Sequence, residues 1–295
     1  MIIFNLTQIK SKSMPAVLKH DNYGKSKVRV VKVTRKGDLH EMKEFSVDVA
    51  LEGDFEDVHR TGNNEMVLPT DTMKNTVYAL AKKNDVNSIE EFALYLSDHF
   101  KKNNKQVSAV NIDIQQSTWK RIHVEGKEHD HSFISGGNEK RTCSIWQDDK
   151  FTTVESGIKD LLIMKTTRSG FTGYIRDEYT TLKETTDRIF ETVVTAKWNY
   201  TNDDVDYNFL HDNIREEILT TFALHDSLSV QQTLFAIGEN VINKFPEVKE
   251  ISISMPNKHC LLIDLSKFGM ENNNEIFVPT DEPHGLIEAT IGREK

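Results

Sequence analysis

Cysteine, proline and glycine are all scarce in this chain of 295 residues. Two cysteines, Cys143 and Cys260, are too few for a disulfide framework and point to a reducing compartment. Only 6 prolines and 14 glycines occur, about 2% and 5% against usual values of roughly 5% and 7%. That excludes collagen-like repeats, long flexible linkers and bulk disorder. No apolar run approaches the roughly 18–20 residues needed to cross a bilayer as a helix. A cationic excess is missing as well. Lys and Arg number 37 against 46 Asp and Glu, a formal net charge of -9 with pI ≈ 5.7. The chain therefore has no electrostatic reason to bind nucleic acid. Residues 1–19 lack the basic region, apolar core and small-residue cleavage site of a secretory signal, and read as a loosely held leader.

What is present describes a globular protein. Hydrophobic residues make up 37% of the chain, enough for a sizeable core, and the length suits about two domains. After a turn at Asp21–Gly24, valines at 28, 30, 31 and 33 mark a strand over Lys27–Thr34. Phe45, Val47, Val49 and Leu51 alternate with polar residues, the period of a half-buried strand. Helical spacing follows. Thr70-Asp71-Thr72 offers N-cap side chains ahead of Met73, Val77, Leu80 and Ala81. Ser88-Ile89-Glu90-Glu91 reads as a capping box ahead of a face of Ile89, Phe92, Leu96, His99 and Phe100. From about 105 to 157 the pattern returns to short antiparallel strands (VNIDI, TWKRIHV, HSFIS, TCSIW).

The second half repeats the plan. Strands at 158–166 and 192–200 precede a helix through Val205, Phe209, Ile214, Ile218 and Phe222. A second capping box, Ser229-Val230-Gln231-Gln232, opens another helix, and strands near 251–255 and 260–265 close the half. The expectation is an α+β protein of two duplicated domains, 20–150 and 151–295, with antiparallel sheets and helices on one face.

Four stretches carry more reactive groups than structure requires. Lys25 follows a turn glycine and precedes a strand; it is either a solvated lysine or a placed cation. Thr70 and Asp71, and likewise Val230 and Gln231, stand at helix starts, where free backbone N–H groups either take a cap or present donors to an anion. Gln231 can read a lactam edge with one donor and one acceptor. Asn257 and His259 lie between two strands, as turn formers or, for His259, as a proton carrier near neutral pH. A rival cluster, His123, His129 and His131, contains an H-x-H pair that can bind a transition metal. Cys143 and Cys260 read as core residues.

These stretches resemble the urate oxidase (uricase) family. The matching segments are YGKSKVRVVKV at 23–33, PTDTMKNTVYALAK at 69–82, SGFTGYIRDEYTTLKETTDR at 169–188, SVQQTL at 229–234, SMPNKHCLLIDL at 254–265 and PHGLIEATI at 283–291. They run in order from about residue 20 to the end. The resemblance implies two tandem T-fold (tunnelling fold) domains, with chains pairing into a barrel and stacking as a homotetramer with active sites between subunits. It implies cofactor-free oxidation of urate by O2 to 5-hydroxyisourate and hydrogen peroxide, with no metal. Phe171 would stack on the purine, and Arg188 and Gln231 would grip its rim. The backbone N–H groups of Asp71 and Val230 would face the anion. Lys25, Thr70 and His259 would form a proton relay, with Asn257 and Thr70 holding O2 or water.

The chain ends Gly292-Arg293-Glu294-Lys295, without an S-K-L-type tail. The expected location is peroxisomal in a eukaryote and cytoplasmic in a bacterium. The alternative function is a T-fold purine- or pterin-binding enzyme of different chemistry, with zinc on the histidine cluster.

Overall fold

Strand periodicity in both halves is satisfied by a single antiparallel sheet. The computed structural model describes residues 16–202 and 204–294; most of the expected leader, residues 1–15, lies outside them. The first half runs β1 (Tyr23–Lys36), β2 (Leu39–Gly53), α1 (Glu56–Thr61), α2 (Thr70–Lys83), α3 (Ile89–Asn103), β3 (Val107–Val124) and β4 (Lys127–Gln147). The second runs β5 (Thr152–Lys165), β6 (Phe190–Tyr200), α4 (Tyr207–Leu224), α5 (Val230–Lys244), β7 (Val248–Ser254), β8 (Asn257–Leu262), a 3-10 turn (Ser266–Phe268), β9 (Phe277–Gly285) and β10 (Glu288–Gly292). Sheet order is β1-β2-β3-β4-β5-β6-β7-β10, with β8 on β6 and β9 on β8.

One row of cross-strand partners shows that the helices share a face. Val28, Val47, Ile114, Cys143, Ser156, Trp198, Ile251 and Ile291 follow each other across the sheet. Directly paired residues point to the same side, and every member is buried or packs on the core beneath the helices. Two separate cores lie along this face. One packs β1–β4 against α2 and α3 around Phe45, Phe92, Phe100 and Ile112; the other packs β5–β7 against α4 and α5 around Phe190, Trp198, Ile214 and Ile237. The α+β arrangement and its repetition are as expected.

A buried polar chain ties the halves together. Glu90 of α3, with no exposed surface, accepts from Arg141 Nη2 at 2.6 Å and from Ser156 Oγ at 2.7 Å. Ser156 Oγ in turn accepts from Tyr200 Oη at 2.7 Å, and Tyr200 from Trp198 Nε1 at 3.0 Å. Arg141 also donates to Asn208 of α4 at 2.7 Å. Alongside, Arg215 of α4 grips Glu139 of β4 with two bonds, at 2.6 and 2.7 Å.

Several local expectations need correction. The short strands between 105 and 157 are two long ones, β3 and β4, whose register shifts absorb the breaks in alternation. Tyr23 and Gly24 already belong to β1 rather than to a turn. Pro69, not a Thr70–Thr72 side chain, is the N-cap of α2, and no side chain caps that end. The Ser88–Glu91 capping box is complete. At α5, Ser229 Oγ accepts from Gln232 N, but Gln232 Oε1 accepts from Leu228 N, so that box is not reciprocal. Cys143 is buried, whereas Cys260 is only half-buried, because β8 diverges from the main sheet.

Candidate active site

The first-half candidates meet where β1 crosses the start of α2. A Cβ on Gly24 would lie 1.7 Å from the Val49 carbonyl oxygen, so only glycine allows β1 to approach β2 this closely. The register then shifts between Lys25 and Val28. Lys27 takes a left-handed φ of 56° there, and its N–H donates to the Asp48 carboxylate. A bulge of this kind re-aims neighbouring side chains, here the half-buried Lys25. Tyr23 Oη accepts from Leu68 N at 2.8 Å and its ring meets Phe55 edge-on, fixing the entry to α2. With Pro69 as N-cap, Thr70 and Asp71 occupy the first turn and their backbone donors take no side-chain cap. The Asp71 carboxyl is held below its ordinary pKa chiefly by the Lys74 hydrogen bond and charge, with Lys25 adding to it. The Lys25 charge therefore reaches Asp71 in the first turn of α2, next to Thr70.

The second-half candidates form another group. Gly170 N donates to Ser227 O at 2.8 Å and Ser227 N to Arg168 O at 3.0 Å. These bonds dock the segment carrying Phe171 beside the N-terminus of α5, which Ser229 caps. Phe171 and Thr185 exchange backbone bonds at 2.7 and 3.2 Å, closing the loop so that Arg188 returns to Phe171. The Arg188 guanidinium carbon lies 5.6 Å from the Phe171 ring centroid. Val230 is buried and Gln231 exposed at the first turn of α5. Asn257 pairs with Thr192 of β6, on the helix-bearing face shared with Phe190 and Val194; Lys258 and Cys260 both reach Glu191 on the other face, which puts His259, between them, on the side of Asn257.

Arg188 is electrostatically unfinished. Burial pushes its pKa below the ordinary arginine value, yet a guanidinium stays protonated. Among the described residues it forms no salt bridge, and its buried Nε has no partner. Ser169 Oγ and Thr192 Oγ1 are also buried and unpartnered. Such orphaned groups are uncommon in folded proteins and call for an explanation. The fourth such atom among the described residues, His211 Nε2, lies on α4 beside Trp198, whereas these three belong to the segments bearing Phe171 and Arg188 and to Thr192, the partner of Asn257, which suits a planar anion with several hydrogen-bonding edges.

Sequence reasoning missed Tyr174. It stacks on Phe171, with centroids 4.9 Å apart and planes at 13°, and its hydroxyl donates to Leu182 O at 2.7 Å. The enabling signal is Gly173 at φ 72°, which turns the chain between the two rings. Nothing in the hydrophobic period marks it.

The two groups stay apart within a chain: among the described residues, no hydrogen bond, ion pair or ring contact joins Lys25, Thr70 or Asp71 to Phe171, Arg188, Val230, Gln231, Asn257 or His259. A cavity of about 760 Å³ on α3, lined by Tyr95, Asp98 and His99 among others, includes none of them. The rival histidines are not gathered as expected. His129 and His131 meet edge-on at 4.5 Å, but the third ring near them is His40, 5.7 Å from His131, not His123. Among the described residues no group of three or more His, Cys, Asp or Glu is arranged to hold a metal ion.

Comparison with known proteins decides what this geometry belongs to. A family model described as Uricase matches residues 21–146 and 154–288. The chain belongs to the uricase family. It is 43% identical to the uricase of Dictyostelium discoideum over 281 residues, covering 94% of this chain and 98% of that one. It is 44% identical to the uricase of Arthrobacter globiformis over 278 residues, covering 94% and 90%. The crystal structure of the Arthrobacter enzyme superposes with a TM-score of 0.91 over 95% of this chain and 96% of that one. The uricase of Bacillus fastidious, at 23% identity and a TM-score of 0.81, shares the fold. The tandem T-fold architecture follows from these matches. Membership assigns the chain urate oxidation, an oxidoreductase reaction.

Proposed function

We propose that the chain oxidises urate without a cofactor, urate + O2 + H2O giving 5-hydroxyisourate + H2O2, in sites built from two subunits of a homotetramer. The observation that carries this reading is Arg188, a desolvated guanidinium set against the Phe171 ring, with no carboxylate partner among the described residues. A planar urate anion supplies the missing charge. Phe171 stacks on its face, Arg188 takes one edge with two parallel bonds, and Gln231 takes the opposite lactam edge. The free N–H groups at Asp71 and Val230, each in the first turn of a helix, face the anion.

Lys25 favours the ionised form of the Thr70 hydroxyl, which is a poor base alone, and His259 passes the proton onward. Asn257 and Thr70 hold O2, and afterwards water, over the ring. Positioned proton transfer is typically worth about 10²–10⁴ in rate. The separation of the two candidate groups within one chain supports a shared site, as do the open edges of β1 and β10 at the two ends of the sheet. Pairing those edges with a neighbour would close a barrel. The domains divide at 150/151, in the turn between β4 and β5. No helix of the described residues is long and apolar enough to cross a membrane. The site of action we propose is the peroxisome in a eukaryote or the cytoplasm in a bacterium.

The test follows urate absorbance and peroxide with metal-stripped protein, in air and then under nitrogen. Loss of urate with stoichiometric peroxide in air, and none under nitrogen, is the expected result. Activity that returns only with added metal would overturn the cofactor-free reading.

A further inference from the structure

Asn257 and His259 stand on the least secured strand of the site. Among the described residues, β8 meets the main sheet at two registered positions, Glu191 with Lys258 and Thr192 with Asn257, and then leaves β6 to pair with β9. Neighbours along a strand alternate between faces. Lys258 and Cys260 therefore point away from Asn257 and His259, onto the face of Glu191. There the Glu191 carboxylate, 7% exposed, accepts a hydrogen bond from Cys260 Sγ at 3.4 Å and pairs with Lys258 Nζ at 3.8 Å. Lys258 reaches on to the exposed Asp281 of β9. Burial, and then the Glu191 bond, raise the Cys260 pKa, which keeps the thiol protonated as a donor.

We propose that Glu191 is a positioning residue for the reaction, clamping β8 from behind so that Asn257 and His259 are held in register against the bound purine. The inference rests on the reading that those two side chains belong to the site. A carboxylate so little exposed is tolerated when its oxygens are engaged, and both of these partners lie on β8. Without Glu191 the thiol loses its acceptor and Lys258 keeps, among the described residues, only Asp281. Among the described residues, the two registered backbone pairs then hold β8 to β6 without a side-chain contact to Glu191 behind them. A misplacement of about 1 Å in catalytic geometry can cost on the order of 10² in rate. The grip on the purine comes from Phe171, Arg188 and Gln231, none of them on β8, so turnover suffers while binding persists.

Glu191→Ala and Glu191→Gln, with Asn257→Ala and His259→Ala alongside, separate the possibilities. Turnover is measured in air, and urate affinity by titration under nitrogen, where bound urate cannot react. The alanine variant is expected to lose about tenfold or more in kcat with anaerobic affinity, melting temperature and assembled mass kept. The glutamine variant, with an oxygen acceptor in the same place, is expected to retain most of kcat. Wild-type kcat in Glu191→Ala overturns the proposal, as does a proportional loss of kcat and affinity that glutamine does not rescue. If the alanine variant does not fold, Lys258→Met carries the test: a fall in kcat with affinity kept supports the clamp, and unchanged kcat overturns it. Full activity in Asn257→Ala and His259→Ala would bring down the site reading itself. Crippled Asn257→Ala beside active Glu191→Ala would bring down only the clamp.

Discussion

Arg188 shows how much a single residue type can say and where it stops. A lone arginine in a sequence is ordinarily a solvated cation; here the backbone pair between Phe171 and Thr185 folds it back under cover, with no carboxylate for it among the described residues. Its chemical fitness for a planar anion was legible from the residue, but its burial was not, because the loop that returns it to Phe171 is closed by a backbone pair between residues fourteen apart, Phe171 and Thr185. Tyr174 makes the same point from the other side. Its stacking on Phe171 depends on one left-handed glycine and a bond to Leu182 O, contacts without a repeating pattern. Arg188→Lys keeps the charge and loses the planar fork. A charge-assisted bond of this kind contributes about 1.5–3 kcal/mol. Anaerobic titration is therefore expected to show urate affinity reduced by about 10–100-fold, with the melting temperature little changed.

At the scale of elements, period and capping carried most of the reading. β2 alternates as its sequence does, and the Ser88–Glu91 box closes as its residue types demand. The failures came where a tertiary contact overrides a local signal. β3 and β4 run through breaks in their alternation because each is paired along much of its length by a neighbour, and α2 starts on Pro69 although three polar side chains follow it. The most demanding position is Glu90. Its spacing marks it as an exposed second residue of a helix, yet it is sealed at the seam by Arg141 and Ser156. Breaking a buried pair by removing one partner costs about 3–5 kcal/mol. Calorimetry of Glu90→Ala is expected to show a melting temperature lower by on the order of 10 °C. Glu90→Gln, able to keep the Ser156 bond, is expected to lose less. Equal losses in the two would show that the Ser156 bond contributes little.

For the whole molecule, the repeated order of strands and helices was readable along the chain, while the distance between the two candidate groups was not. Periodicity places elements; it does not say that Lys25, Thr70 and Asp71 sit by one core and Phe171, Arg188 and Gln231 by the other. If each complete site draws on two chains, then Thr70→Ala and Arg188→Ala proteins, each inactive alone, should regain activity when unfolded together and reassembled. Verified mixed assemblies with no activity would show instead that both groups serve one chain.

The seam has a further consequence. The backbone passes from one half to the other through a short turn, Asp148 to Phe151, with residues 149–151 exposed. The halves are meanwhile held across it by the β4–β5 ladder, the Glu90–Arg141–Ser156 chain and the Arg215–Glu139 grip. Covalent continuity at that turn is thus almost redundant to the architecture. The peptide bond there is a permissive joint, where the polypeptide could be nicked, or given new ends, and still hold its shape as two interlocking fragments.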